Sequence, residues 1–178
     1  MLPSLAIAEA LRGRGATVTF AGSPDRVEAR LVPEAGYELD TFEISGFPRA
    51  PSAALLRALL LAGRAPHACA AILRRRLPHV VLGGGGFVAG PMVYAAWRRR
   101  VPAALTEADA HLGLANRLAA PFARRVFLAY AIPGRSGAKY RVTGRPVPAG
   151  HRGVSREEGR RRFGLPADRP VIAFFGAL

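Results

Sequence analysis

Residues 79–91, His79-Val80-Val81-Leu82-Gly83-Gly84-Gly85-Gly86-Phe87-Val88-Ala89-Gly90-Pro91, decide the fold. A short β-type run is followed by four glycines, and a helical pattern then covers about Pro91 to Arg99. Strand, Gly-rich loop and helix in that order are the unit of parallel α/β sheets. Glycines there let a ligand approach the backbone, and the start of a helix can hold an anion. The loop is not a Walker A loop, because it lacks Gly-Lys-Ser/Thr, and it lacks the dinucleotide-binding spacing with a downstream acid. On these residues alone, ligand contact and a plain tight turn both remain open. The 21 uncharged residues Leu77–Trp97 have the length of a membrane span. Pro78, Pro91 and the glycines could not satisfy their backbone groups in lipid, so no transmembrane helix is expected.

Outward from the loop, short β-like runs alternate with helical ones. Helices are expected at Ser4–Arg12, Asp25–Leu31, Ser52–Arg76 (broken near Gly63–Pro66), Leu112–Phe122 and after the capping box Ser155-Arg156-Glu157-Glu158. Strands are expected at Thr17–Ala21, Tyr37–Ile44, His79–Leu82, Val101–Leu105, Val126–Tyr130, Tyr140–Thr143 and Pro170–Phe175. The pattern opens on a helix where a doubly wound fold opens on a strand, and it closes on a strand. The expectation is therefore a Rossmann-like domain at 1–144 without its first strand. Residues 145–169, rich in Pro, Gly and Arg, would be a linker, and 170–178 the first strand of a second domain.

With 178 residues, half of them hydrophobic, the chain has the composition of a folded domain rather than a disordered one. One cysteine excludes a disulfide scaffold, and Cys69 in an Ala-rich helix reads as a core filler. His67, His79, His111 and His151 show no metal spacing. The formal charge of +14 suggests an anionic partner, but every basic residue except Lys139 is Arg, which fits coding bias as well. A nucleic-acid binder is the rival reading from this charge, although no recognised nucleic-acid module is present. The triplets Arg74–Arg76, Arg98–Arg100 and Arg160–Arg162 fall near helix ends, where cations complement the macrodipole. Nine Arg and no acid lie between Glu43 and Glu107, alongside many leucines and Trp97, a composition suited to an anionic membrane surface.

That run ends at Leu105-Thr106-Glu107-Ala108-Asp109, where a strand meets a loop at the carboxyl edge of the sheet. A carboxylate there could orient a sugar hydroxyl or act as a general base. Equally, Asp109 could cap the next helix and Glu107 could form an ion pair.

Several ordered segments resemble one family. Pro3-Ser4-Leu5-Ala6-Ile7-Ala8-Glu9-Ala10-Leu11, Glu28-Ala29-Arg30-Leu31-Val32-Pro33, Ile44-Ser45-Gly46, Gly85-Gly86-Phe87-Val88-Ala89-Gly90-Pro91, Gly113-Leu114-Ala115-Asn116-Arg117 and Val142-Thr143-Gly144-Arg145-Pro146-Val147 are similar to the MurG family. Its members transfer N-acetylglucosamine from UDP-GlcNAc to a lipid-linked muramyl-peptide acceptor of peptidoglycan. The resemblance implies a GT-B architecture of two Rossmann-like domains, of which this chain is the acceptor-side, membrane-facing one, truncated at both ends. It implies an inverting transfer without a metal or other cofactor, at the cytoplasmic face of the membrane and without a nucleic-acid partner. Gly84, Gly85, Gly86 and Phe87 would shape the acceptor pocket, Glu107 and Asp109 would orient the sugar, Arg145 would approach the phosphates, and Trp97 would face the membrane.

The chain also departs from the family. The family's Gly-Gly-Thr-Gly-Gly-His loop, with its candidate base, would lie before Met1. His-Glu-Gln-Asn is replaced by Thr106-Glu107-Ala108-Asp109, and the loop tyrosine by Phe87. Gly-Asn-Pro-Val-Arg is replaced by Gly144-Arg145-Pro146-Val147-Pro148. A diverged member using another nucleotide sugar or acceptor is the alternative within the family, and the chain alone is expected not to turn over.

Overall fold

The computed structural model describes residues 1–46, 53–148 and 154–172. Helix α1 (Leu2–Arg12) leads to strand β1 (Thr19–Gly22), α2 (Val27–Glu34) and β2 (Glu38–Thr41). The long α3 (Ala53–Arg76) precedes β3 (Val81–Gly83), α4 (Gly86–Arg98), β4 (Ala103–Glu107) and α5 (Leu114–Ala119), which runs into a 3₁₀ turn at Ala120–Phe122. Strands β5 (Arg125–Leu128) and β6 (Tyr140–Val142) follow, and α6 (Arg156–Arg162) comes last. All strand pairs are parallel, in a two-stranded sheet β1-β2 and a four-stranded sheet β3-β4-β5-β6.

The main core is built where α3 and α4 pack on β3, β4 and β5, with Leu105, Val126, Leu128, Val93 and Cys69 fully buried. Burial pushes the Cys69 thiol up to about 12, as befits a core filler. A smaller cluster of Ala8, Val32 and Tyr37 joins α1 and α2 to the β1-β2 sheet. At Gly83 helix α4 and strand β4 both press against β3. A Cβ there would stand 2.7 Å from Leu105 Cδ2 and 3.2 Å from Ala89 Cβ and Val93 Cγ2.

Two helices differ from expectation for one reason. The break near Gly63–Pro66 is absent, and α3 runs unbroken through Pro66. Its buried residues Ala58, Ala65, Cys69, Ile72 and Leu73 form one stripe on both sides of the proline. Packing along that stripe outweighs the single backbone bond a proline removes. Helix α4 likewise begins at Gly86 and carries Pro91 inside it, since Ala89, Met92, Val93 and Ala96 must share one buried face. No strand forms at Pro170–Ile172, and the rest of the Pro170–Phe175 run lies outside the described residues, as does His151. The capping box forms: Ser155 Oγ accepts from the Glu158 N–H at 3.1 Å. Among the described residues no helix is long and apolar enough to cross a membrane, and no group of three or more metal-ligating side chains occurs.

Asp40 ties the small sheet to the rest. Strand alternation turns it inward with Phe42 and Ile44, and it is only 7% exposed. Arg75 reaches it at 2.6 Å and Arg76 grips both its oxygens, while Arg76 also pairs with Glu38. The Arg76 hydrogen bond, helped by Arg75, holds the Asp40 carboxyl below the usual range against the opposing cost of burial. Two members of the first Arg triplet therefore do more than complement a helix end.

Candidate functional site

In a parallel sheet the carboxyl ends of neighbouring strands open on the same side, and here Gly83 of β3 is in register with Leu105 of β4. The Gly-rich loop after β3 therefore stands beside Glu107, the last residue of β4. Gly85 (φ +88°) and Gly86 (φ +70°) adopt the left-handed backbone that glycine alone takes without strain. They turn the chain into α4, whose first turn has neither a side-chain cap nor an acidic residue. Its first N–H groups lack partners within the helix and carry the positive end of its dipole.

A cavity of about 330 Å³ opens here, lined by Gly84–Gly86, Glu107–Asp109 and Gly113–Asn116. Glu107 is 8% exposed, and its carboxylate is held by its own loop. Oε1 accepts from the Asp109 N–H at 3.2 Å, and Oε2 accepts from the Gly113 N–H and from Asn116 Nδ2, each at 2.9 Å. Burial would raise the Glu107 pKa, but the bonds from Gly113, Asn116, Asp109 and Ala108 outweigh it and keep the group below the ordinary carboxylate range. Glu107 thus stays ionised as a strut. Among the described residues it forms no ion pair, and Asp109 does not cap α5, whose N-cap is Gly113 with no side-chain bond. Asp109 is exposed on the cavity wall.

Asn116 went unassigned in the sequence although its neighbours match the family pattern. It is 3% exposed, and Nδ2 donates to the Thr106 carbonyl at 3.0 Å and to Glu107. Both partners are acceptors, so the orientation of the amide is fixed. Oδ1, buried at the wall of the cavity, has no donor among the described residues. The signal for it was a polar residue on the inward face of a short helix just after a glycine.

The structure gathers Gly84, Gly85, Gly86, Glu107 and Asp109 around this cavity but not the other expected residues. Phe87 turns away, with Gly46 beside its ring and the Arg26 guanidinium 5.4 Å from its centroid. Arg145 is exposed on the segment leaving β6 and does not line the cavity. Trp97 lies at the other end of α4, 50% exposed, with Phe122 at 5.1 Å and Tyr94 at 5.8 Å between ring centroids. A second recess of about 350 Å³ opens there, among Trp97, Phe122, Arg100, Arg124 and the start of β4.

Comparison with known proteins gives a consistent picture. The model of the glycosyltransferase family 28 N-terminal domain matches residues 1–128. A UDP-N-acetylglucosamine--N-acetylmuramyl-(pentapeptide) pyrophosphoryl-undecaprenol N-acetylglucosamine transferase of Halothermothrix orenii is 39% identical over 98% of this chain and 48% of its own length. The equally named protein of Acidithiobacillus ferrooxidans is 46% identical over 83% of this chain and 40% of its own. The crystal structure of Acinetobacter baumannii MurG superposes with a TM-score of 0.69 at 24% identity, over 81% of this chain and 41% of that one, which supports the fold. The chain thus spans about half the length of the curated relatives it matches.

Proposed function

This chain belongs to the glycosyltransferase family 28 N-terminal domain family, and on that premise we propose that it is the acceptor-side half of a peptidoglycan N-acetylglucosaminyltransferase. One observation carries the reading: the uncapped start of α4 and the unpartnered Asn116 Oδ1 belong to one cavity. The helix start suits an anionic group, and Oδ1 asks for a hydroxyl or amide donor. A lipid-linked muramyl pyrophosphate, the acceptor in the relatives' names, offers both.

In the reaction, an acceptor hydroxyl oxygen bonds to the anomeric carbon of the sugar as the bond from that carbon to UDP breaks, with inversion. The hydroxyl proton passes to a base that we assign to no residue of this chain. Gly84–Gly86 seat the acceptor's phosphoryl groups, Asp109 orients a sugar hydroxyl, and Glu107 keeps the loop in place. Arg145 is assigned to the phosphates of the nucleotide. The exposed Trp97, flanked by Arg98, Arg99, Arg100 and Arg124, is assigned to the cytoplasmic membrane surface, where amphipathic rings and cations favour anionic lipid. Trp97→Ala is expected to reduce co-sedimentation with anionic vesicles.

The test is transfer of labelled N-acetylglucosamine from UDP-GlcNAc to a polyprenyl-pyrophosphoryl muramyl-pentapeptide by the full-length protein that carries this chain. Transfer is expected, with Gly85→Val at least about tenfold slower because the seat is displaced. Transfer only to a different acceptor or from a different nucleotide sugar would replace this reading with that of a diverged member.

A further inference from the structure

We infer that Arg26 is an additional anion-binding residue at the mouth of the Gly84–Gly86 loop, contacting the pyrophosphoryl group that the start of α4 receives. The inference rests on the reading of that loop as an anion seat.

The position of Arg26 is unfavourable for helix stability. It is the N-cap residue of α2, has extended backbone (φ −118°, ψ 174°) and makes no side-chain capping bond. A cation there faces the positive end of the helix dipole, where Ser, Thr, Asp or Asn would be favoured. The bond that steadies this turn comes from Glu28, whose Oε1 accepts from the Ser23 N–H at 3.1 Å. The chain has twelve acidic side chains, all among the described residues, and none forms an ion pair with Arg26.

The guanidinium instead lies over the ring of Phe87, 5.4 Å from its centroid. Phe87 is the second residue of α4, and Gly46 packs against its ring. The cation thus rests on the side chain of the residue that supplies the second N–H of the helix start, so an anion seated there would have it one side chain away. A planar guanidinium resting on an aromatic ring can still direct its N–H groups edgewise to phosphate oxygens. Two phosphoryl groups, one on the helix start and the next towards Arg26, would use both features. The contact also links the β1-β2 sheet to the loop, since Arg26 lies between β1 and α2.

The test is titration of the isotope-labelled chain with inorganic pyrophosphate, reading amide shifts of Gly84–Val88 by NMR and affinity by calorimetry. Arg26→Gln is expected to bind about tenfold more weakly, the loss of one charge-assisted contact. Arg26→Lys should fall between the two, because it keeps the charge and loses the planar stack. Arg30→Gln, on the same helix and paired with Glu34 at 3.9 Å, removes the same formal charge and should bind like wild type. Both positions are exposed, so neither variant should melt markedly below wild type, which excludes misfolding. Equal affinity of wild type and Arg26→Gln would overturn the role of Arg26 and leave the loop as an anion seat. No binding by wild type would overturn both.

Discussion

Asn116 locks Glu107 in place: its Nδ2 lies 2.9 Å from Glu107 Oε2 and 3.0 Å from the Thr106 carbonyl. One buried amide thus spans the end of β4, the loop after it and the start of α5. Asn116→Ala is expected to cost about 2 kcal/mol, since a buried charged acceptor loses a donor. Asn116→Asp would set two carboxylates together, so its deficit should be largest at neutral pH. It should shrink in acid, as one of the pair takes up a proton. Urea denaturation at several pH values checks both.

Asp40→Asn is expected to destabilise the chain by about 2 kcal/mol by weakening the grip of Arg75 and Arg76. Asp40 has its pKa lowered in the folded state, so its contribution is fully present above the unfolded value of 3.8 and is lost as the pH falls through the lower folded value. The stability difference between wild type and variant should therefore be constant near neutrality and narrow in acid.

Gly83 and Gly63 predict opposite signs for the same substitution. Gly83→Ala drives a methyl group into Leu105 and should cost about 1–3 kcal/mol. Gly63 is exposed inside α3 with nothing within 4 Å of a Cβ, so Gly63→Ala should stabilise by about 0.5–1 kcal/mol. Thermal melting of the two variants decides it.

Cys69 should be unreactive towards a thiol reagent at pH 8 in the native chain and react fully in denaturant, because it is buried and its pKa is pushed up to about 12. Rapid native labelling would place it at a surface.

Most of the layout could be read from the sequence because alternation and glycine loops are local signals. The run from Val80 through the glycines gave strand, turn and helix in the right order, and Ser155 with Glu158 gave a cap. Helix limits at Pro66 and Pro91 could not be read locally, because a buried stripe formed by residues several turns apart decides them. The role of Glu107 was hidden for a similar reason: its partners Gly113 and Asn116 lie six and nine residues away, brought back by a loop. Asp40 was legible in part, since its parity matches that of Phe42 and Ile44, but its partners lie on α3, 35 and 36 residues on.

The most direct test of the acceptor-side assignment is to titrate the isotope-labelled chain in turn with a water-soluble muramyl-peptide pyrophosphate and with UDP-GlcNAc. Amide shifts at Gly84–Gly86 and the side-chain amide of Asn116 are expected with the muramyl pyrophosphate, and little response with the nucleotide sugar. Saturable binding of UDP-GlcNAc at that cavity, with no response to the muramyl compound, would contradict the assignment.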